Sequence, residues 1–415
     1  MRRLTIIAPL LLALMGAGFA TPVEWAPKSF PISFWCGPPD PYITVERYRQ
    51  VSDAGFNYVM PPCEGKSSAE RNLRILDTAK SVKLKAFLQD DRMPAAISGV
   101  SDAKTRIDSI VVAYAKHPAF AGYFITDEPG AGAFHGLSEV VAYLREKDPA
   151  HPAYINLFPN YASEDQLGAA TYDTYVSQFI KTVKPFAVSY DHYHFLKSGD
   201  RTGFFANLDS VRTLALAEEL PFWQIVLSVP FADYRPLSES EKRWEAMQTL
   251  AYGAKGLLYF TYWTPGDKSY EWGPALIGRD ANPTPQYEEV KRINSDVQAL
   301  GKYLIDAVPS SVFQAGKISP GGKPREAGTP VSVSGAGDLT VGLFRRDTHL
   351  YVMIANRDYR KPASTDVLFT NGELVIQRLD KSNGKWLAVK GVKTEDNEFK
   401  TRVELAPADG ELYRW

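Results

Sequence analysis

Cysteine is nearly absent: the chain of 415 residues has two, Cys36 and Cys63. In an exported protein an even pair reads as a disulfide, and the strand pattern described below sets these two at the ends of neighbouring strands. Two free buried thiols, or a catalytic or metal-binding role, are the alternatives. Net charge is also nearly absent, at -1, which removes any electrostatic case for nucleic acid or an anionic membrane as partner. No Gly-rich dinucleotide fingerprint follows the first strand, and no Gly-x-Ser-x-Gly elbow occurs. Those gaps argue against a nucleotide-binding open sheet and against a serine-hydrolase triad. Repeats and low-complexity tracts are missing. The N-terminal apolar run, Leu4 to Leu14, is too short to span a bilayer as a permanent helix.

That run follows Arg2 and Arg3 and precedes Gly18-Phe19-Ala20. This is the layout of a secretion signal, with cleavage expected after Ala20. The mature chain is expected to be secreted or periplasmic, with no membrane contact once residues 1–20 are removed. No Cys lies close enough behind the run for a lipid anchor, and the Arg pair lacks the fuller twin-arginine pattern.

What the chain does have is an ordinary globular composition with many aromatics. Hydrophobic residues make up 45% and aromatics 12%, with 8 Trp and 22 Tyr. Pyranose faces stack on such rings, although large barrels bury many of them for packing alone. The length suits a barrel of about 250 residues with an accessory domain.

Eight apolar runs recur, each followed by a helical pattern: about Pro31 to Cys36, Phe56 to Met60, Leu84 to Gln89, Gly122 to Asp127, Ala153 to Phe158, Phe186 to Asp191, Phe222 to Val229 and Gly256 to Tyr262. Most are continuous rather than alternating, as parallel strands covered by helices require. Helical spacing lies between them, for example Tyr48, Val51 and Ala54, then Leu73, Ile75, Leu76 and Ala79, then Tyr175, Phe179 and Val183. Eight alternations with right-handed crossovers predict a closed (β/α)8 TIM barrel over residues 21–306. From about Ala307 the chain turns Gly-, Pro- and Ser-rich. Short alternating runs follow at Leu339–Phe344, Leu350–Ala355, Val367–Phe369, Leu374–Ile376 and Arg402–Leu405. They predict a C-terminal antiparallel β-sandwich over residues 307–415, as a structural partner or a sugar-binding module.

The chain is organised around Tyr123-Phe124-Ile125-Thr126-Asp127-Glu128-Pro129-Gly130. It reads as a buried strand that ends in two carboxylates and is stopped by Pro and Gly. Buried acids are costly unless they are used or paired, and the carboxyl ends of barrel strands are where catalysis sits. Adjacent Asp127 and Glu128 cannot point the same way on a regular strand unless it has already turned. Glu128, nearer the turn, is the candidate general acid/base. Asp191, ending strand six, is a second catalytic candidate, as nucleophile, base for water or sugar ligand. Asp90, Asn156 and His192 are candidate ligands of sugar hydroxyls, and Trp35, Tyr193, Tyr262 and Trp263 candidate sugar platforms. Phe158, Tyr161, Phe195 and Trp272 also fall at strand ends, and Asn160 could read hydroxyls. Glu64, Asp267 and Glu271 remain as reserve acids. His192-x-His194 would share a strand face and could hold a metal, but no metal or other cofactor is expected.

With Thr126-Asp127-Glu128-Pro129 after strand four, Ser189-Tyr190-Asp191-His192-Tyr193 after strand six and Tyr259-Phe260-Thr261-Tyr262-Trp263 at strand eight, the chain resembles secreted bacterial TIM-barrel glycoside hydrolases of clan A. Asp409-Gly410-Glu411-Leu412-Tyr413 is similar to the closing strand of sandwiches appended to such barrels. The resemblance implies Glu128 as acid/base on a carbohydrate substrate. It departs from clan A at two places. The pair is Asp-Glu rather than Asn-Glu, and strand seven, Trp223 to Pro230, carries no terminal carboxylate for a nucleophile. An Asp-Glu pair is similar instead to retaining N-acetylhexosaminidases, where the Asp steers the substrate's acetamido group. The function expected is cleavage of a glycosidic bond in an oligo- or polysaccharide. A non-catalytic glycan-binding protein on a barrel scaffold and a polysaccharide lyase are the alternatives.

Overall fold

The structure is a computed structural model, and it describes residues 25–335, 337–370 and 375–415. The expected signal, residues 1–20, and Leu374 lie outside the described residues. Among the described residues no helix is long and apolar enough to cross a membrane.

The first part is an eight-stranded parallel barrel. Its strands are β1 (Ile32–Phe34), β2 (Tyr58–Val59), β3 (Lys85–Leu88), β4 (Phe120–Asp127), β5 (Ala153–Leu157), β6 (Val188–Asp191), β7 (Phe222–Leu227) and β8 (Gly256–Phe260). The sheet order is β1-β8-β7-β6-β5-β4-β3-β2, all parallel. The ring closes between β1 and β2 partly through a side chain. Ile32 N–H donates to Asn57 Oδ1 at 2.8 Å, and Asn57 N–H donates back to the Ile32 carbonyl at 3.1 Å. Several strands are shorter than their apolar runs, because Trp35, Cys36 and Tyr262 belong to the rim loops.

Eight longer helices wrap the sheet: α1 (Val45–Asp53), α2 (Ala69–Ser81), α3 (Ala103–Tyr114), α4 (Phe134–Lys147), α5 (Tyr172–Val183), α6 (Phe204–Ala217), α7 (Glu239–Ala251) and α8 (Pro285–Leu304). Their starts are set by side-chain caps. Thr44, Ser68 and Thr171 each accept a backbone N–H, and Ser238 with Glu241 forms a capping box. The inward stripe of α5 is Tyr175, Val176, Phe179, Ile180 and Val183, at helical spacing. Leu73, expected on the buried stripe of α2, is exposed instead, because the side chains facing the barrel there are Asn72, Ile75, Leu76 and Ala79.

Aromatics fill the barrel. Trp223, Tyr154, Phe87 and Tyr58 pack across the axis, and Trp25 plugs the N-terminal end with its ring centroid 5.1 Å from Phe186 and 5.6 Å from Trp223. Gly256 makes room for Trp223, since a Cβ there would lie 2.6 Å from the indole. This packing fills the barrel interior, and catalytic groups in such barrels sit at the opposite, C-terminal mouth.

The remainder forms a sandwich of strands β9 (Val308–Ala315), β10 (Val331–Ser334), β11 (Leu339–Arg346), β12 (His349–Asn356), β13 (Ala363–Thr370), β14 (Gln377–Asp380), β15 (Lys385–Ala388), β16 (Val392–Lys393), β17 (Glu398–Leu405) and β18 (Gly410–Arg414). One sheet runs β9-β11-β12-β18-β14-β15 and the other β10-β13-β17-β16, both antiparallel. β9 and β10 lie in the Gly- and Pro-rich stretch where no strand was expected. β12 reads as a continuous apolar run because both its faces are covered. Val352 and Ile354 face the second sheet, while Tyr351, Met353 and Ala355 join the barrel's core. The sandwich sits on α7, where Trp244 Nε1–H donates to the Arg357 carbonyl at 2.9 Å. Gly342 allows this approach, because a Cβ there would overlap the Ala251 carbonyl oxygen.

Candidate active site

The backbone of β4 is irregular at the place that matters. Phe124 pairs with Tyr154 and Thr126 with Ile155, so one residue is bulged out between them. A bulge shifts the side-chain alternation by one. Without it Thr126 would face inward after Phe124; with it Asp127 does, beside inward-facing Asn156. The chain then turns at Glu128, which takes φ +46° and donates its N–H to the Asn156 carbonyl at 2.9 Å. A left-handed conformation costs a non-glycine residue about 1 kcal/mol. Here it lets two consecutive carboxyls enter one mouth, which a regular strand forbids. Tyr175 holds the turn by donating its hydroxyl to the Pro129 carbonyl at 2.7 Å.

Asp191 arrives from the end of β6. Its carboxyl lines the same cavity as that of Glu128, and the two side chains bear on each other's proton. Asn156 organises the group: its Nδ2 donates to Asp127 Oδ1 at 3.1 Å and to Asp191 Oδ1 at 3.0 Å. Its Oδ1 accepts from Ser189 Oγ at 3.1 Å, and Ser189 pairs with the Tyr154 hydroxyl at 2.8 Å. The amide is thereby fixed in the orientation that offers N–H to the acids.

Burial, followed by the charge of Asp127, pushes Glu128 up to about 7. Burial and then the charges of Glu128 and Asp127 push Asp191 well above the usual carboxylate range. Asp127 is raised to about 6, by burial against the opposing Asn156 bond. Protein surrounds Asp127 on most sides, yet its side chain is exposed to water in the mouth, so its charge is the most easily carried of the three.

Beside the carboxyls lies a cavity of about 680 Å3. Glu128 and Asp191 line it, with Phe158, Tyr161, Tyr193, Phe231, Tyr234 and Tyr270 as an aromatic wall and with Lys197, Arg201 and Asp233 on the loops. Trp35 stands at the top of the barrel interior, edge-on to Phe124 at 5.0 Å. The disulfide Cys36–Cys63, with Cα atoms 4.7 Å apart, ties the loops after β1 and β2. Glu64 beside it accepts the Gly266 N–H.

Other expected sugar ligands are placed elsewhere. Asp90 is spent on Arg92, with contacts of 2.8 and 2.7 Å, and on the Tyr114 hydroxyl. Burial pushes Asp90 upward, but those bonds hold it below the usual range. Tyr262 is buried, stacked on Phe34 at 4.5 Å, and Trp263 packs on Tyr42 at 4.7 Å; both bury their rings against neighbouring loops and helices rather than in the cavity. His192 is fully buried, with Nδ1 3.0 Å from Asn207 Oδ1, and burial lowers it to about 3. His194 stacks on Trp244 at 4.6 Å, so the two imidazoles are taken up separately. Among the described residues no group of three or more His, Cys, Asp and Glu is arranged to hold a metal. Asn156 is committed to the carboxyls rather than to a ligand. Asp267 and Glu271 line a separate surface hollow with Trp272 and Arg279. Arg201, Lys197 and Tyr234 were not anticipated; they sit on loops with no periodic pattern to mark them.

No family model matches the chain, and no curated protein sequence matches it. Solved structures do. A β-galactosidase from Bacillus circulans sp. alkalophilus superposes with TM-score 0.63 at 9% identity, covering 94% of this chain and 99% of that one. A family 5 glycoside hydrolase from Bacteroides vulgatus gives TM-score 0.56 at 11% identity over 93% and 89%. The chain has a glycoside hydrolase fold. The chain spans 62% of the length of a β-galactosidase from the psychrophilic Marinomonas ef1, with TM-score 0.49 at 13% identity. In a parallel barrel of this kind the mouth that holds Asp127, Glu128 and Asp191 is the end where functional groups gather.

Proposed function

We propose that the chain hydrolyses a glycosidic bond, with Glu128 as the general acid. The observation that carries this reading is a carboxyl raised to about 7 at the end of β4, lining an aromatic-walled cavity together with Asp191. Glycoside cleavage needs a proton for the leaving oxygen and a negative charge near the oxocarbenium-like centre. Glu128 supplies the first, because its environment keeps it protonated near neutrality. Asp127 supplies the second, as nucleophile or by orienting an acetamido group of the substrate. Asp191, held protonated by burial and the charges of Glu128 and Asp127, adds no further negative charge to the mouth. Export from the cytoplasm belongs to the same reading and rests on residues 1–20.

The test is hydrolysis of an aryl-glycoside panel, N-acetylhexosaminides included, by wild type and Glu128→Gln. A loss of about two or more orders of magnitude supports Glu128 as acid; an unaffected variant refutes it. One observation favours a second reading, a glycan-binding protein without turnover. β7 ends without a carboxylate, and Ser228 Oγ there is taken up by the Thr261 carbonyl at 3.0 Å. Glycan binding with no turnover, unchanged in Glu128→Ala, would support that one.

A further inference from the structure

We infer that the substrate is an anionic sugar, carrying a carboxylate or a sulfate ester, and that Arg201 is the residue that selects it. The inference deepens the glycosidase reading and rests on it.

Arg201 lines the cavity that Glu128 and Asp191 open into. Its guanidinium lies over the Tyr161 ring, 3.7 Å from the centroid. Nε donates to the Tyr193 carbonyl at 3.2 Å, and Nη2 reaches the Tyr234 hydroxyl at 3.5 Å. The group is therefore held in place by three residues of the same cavity wall. Among the described residues none supplies it with a carboxylate. Arg71, Arg212 and Arg357 also lack an ion pair among the described residues, but none of them lines the cavity, whereas Arg235 on the neighbouring loop is paired with Asp200 and Glu241. Arg201 has five N–H donors, so most remain to be met, and Nη1 makes no hydrogen bond among the described residues.

Lys197 stands on the same wall. Its Nζ gives one bond, to the Ala232 carbonyl at 2.6 Å, and it too has no ion pair among the described residues. Asp233 is the acid on that wall and makes no ion pair with either cation among the described residues. Two cations with spare donors beside an aromatic-walled cavity, Arg201 held by three of its residues and Lys197 exposed on the loop, fit an anionic substituent better than a hydroxyl. A planar guanidinium matches a carboxylate or sulfate in a two-point fork, and stacking on Tyr161 fixes the plane of that fork. A neutral sugar would leave these donors unmet in a half-closed site, which is unfavourable.

The experiment measures kcat/KM on aryl-glycoside pairs that differ only in the substituent: glucoside and glucuronide, galactoside and galacturonide, N-acetylglucosaminide and its 6-sulfate. The uronides and the sulfate ester separate the two sources of charge. Wild type is expected to prefer the anionic member of at least one pair about tenfold or more, and Arg201→Gln to reduce that ratio about 10- to 100-fold, with Arg201→Lys in between. Preference for the neutral member in every pair that turns over overturns the inference and leaves the glycosidase reading intact. So does an Arg201→Gln variant whose ratio is unchanged, which would make Arg201 only a prop for Tyr193. If no pair is hydrolysed, the glycosidase reading is what fails. The inference is then decided by calorimetric binding of glucuronate, galacturonate and glucosamine 6-sulfate. Binding lost in Arg201→Gln supports it, and no binding at millimolar ligand overturns it.

Discussion

Glu128 and Asp191 present their carboxyls to one cavity, where burial raises both above the usual carboxylate range close to the ionisable Asp127. The pH dependence of activity follows. Glu128 acts as acid only while protonated, and burial with the Asp127 charge raises it to about 7. Asp127 helps only while ionised, and burial raises it to about 6. The profile of kcat/KM is expected to be a narrow bell with its maximum between those values. Its two limbs belong to the coupled cluster rather than to single residues. Activity that stays flat up to pH 9 would contradict Glu128 as acid.

The same raised carboxyl affects stability. Glu128 binds its proton more tightly folded than unfolded, so the folded chain holds the extra proton between about pH 4.5 and about pH 7. Stability from this group is therefore full below pH 4.5 and is lost as pH rises through 7. Glu128→Gln removes that loss. Its melting temperature is expected to exceed wild type by about 2 °C or more at pH 8, with the gap closing toward pH 4.5. Thermal scans at both pH values decide it.

Asn156 is the positioning residue whose removal can be told from a general loss of structure. Its amide N–H bonds lower both Asp127 and Asp191. Asn156→Ala is expected to reduce kcat by about 10- to 100-fold and to move the acid limb of the bell to higher pH. A fall in rate with an unmoved acid limb would mean that Asn156 does not act through the carboxyls.

These residues also mark the limit of what the sequence discloses. The eight parallel strands were legible because a strand buried on both faces must be apolar throughout. The acids at the end of β4 were legible because buried charge before Pro129 and Gly130 is conspicuous. What was hidden is where neighbouring side chains point. A one-residue bulge puts Asp127 inward, and no residue type announces it. Asp90 looked equally catalytic, yet Arg92 two residues on and Tyr114 on α3 consume it. Tyr262 and Trp263 sit at a strand end, but the loops fold over them. Arg201 carries no local pattern, because its meaning lies in Tyr161, Tyr193 and Tyr234, which come from three separate loops.

The disulfide acts on the loops that frame the mouth. Cys36 and Cys63 are 27 residues apart, and closing a loop of that length removes about 3.5 kcal/mol of unfolded-state freedom. Replacing both cysteines by Ala is expected to lower the unfolding free energy by about that amount. Chemical denaturation of the double variant, compared with wild type under oxidising conditions, measures it. An unchanged midpoint would mean the bridge constrains nothing that the barrel does not already hold.

The sandwich reaches the active site through one hydroxyl. Tyr359 OH donates to Asp200 Oδ2 at 2.7 Å, and its ring meets Phe195 edge-on at 5.4 Å. Phe195–Leu196 and Gly199–Asp200 form the short hairpin that presents Lys197 to the cavity. Arg235 grips the same Asp200 at 3.3 Å from the loop after β7. The hairpin is thus anchored at its base from the sandwich and from the barrel, with its tip at the substrate. Tyr359→Phe keeps the ring packing and removes only the hydrogen bond. The expected cost in global stability is about 1 kcal/mol, because the bond is partly exposed. KM is expected to rise about threefold or more while kcat changes less, since Lys197 moves but the carboxyls on β4 and β6 do not. Equal falls in kcat and kcat/KM would instead tie the sandwich to the carboxyls themselves, and no change in either would make it a passive neighbour of the barrel.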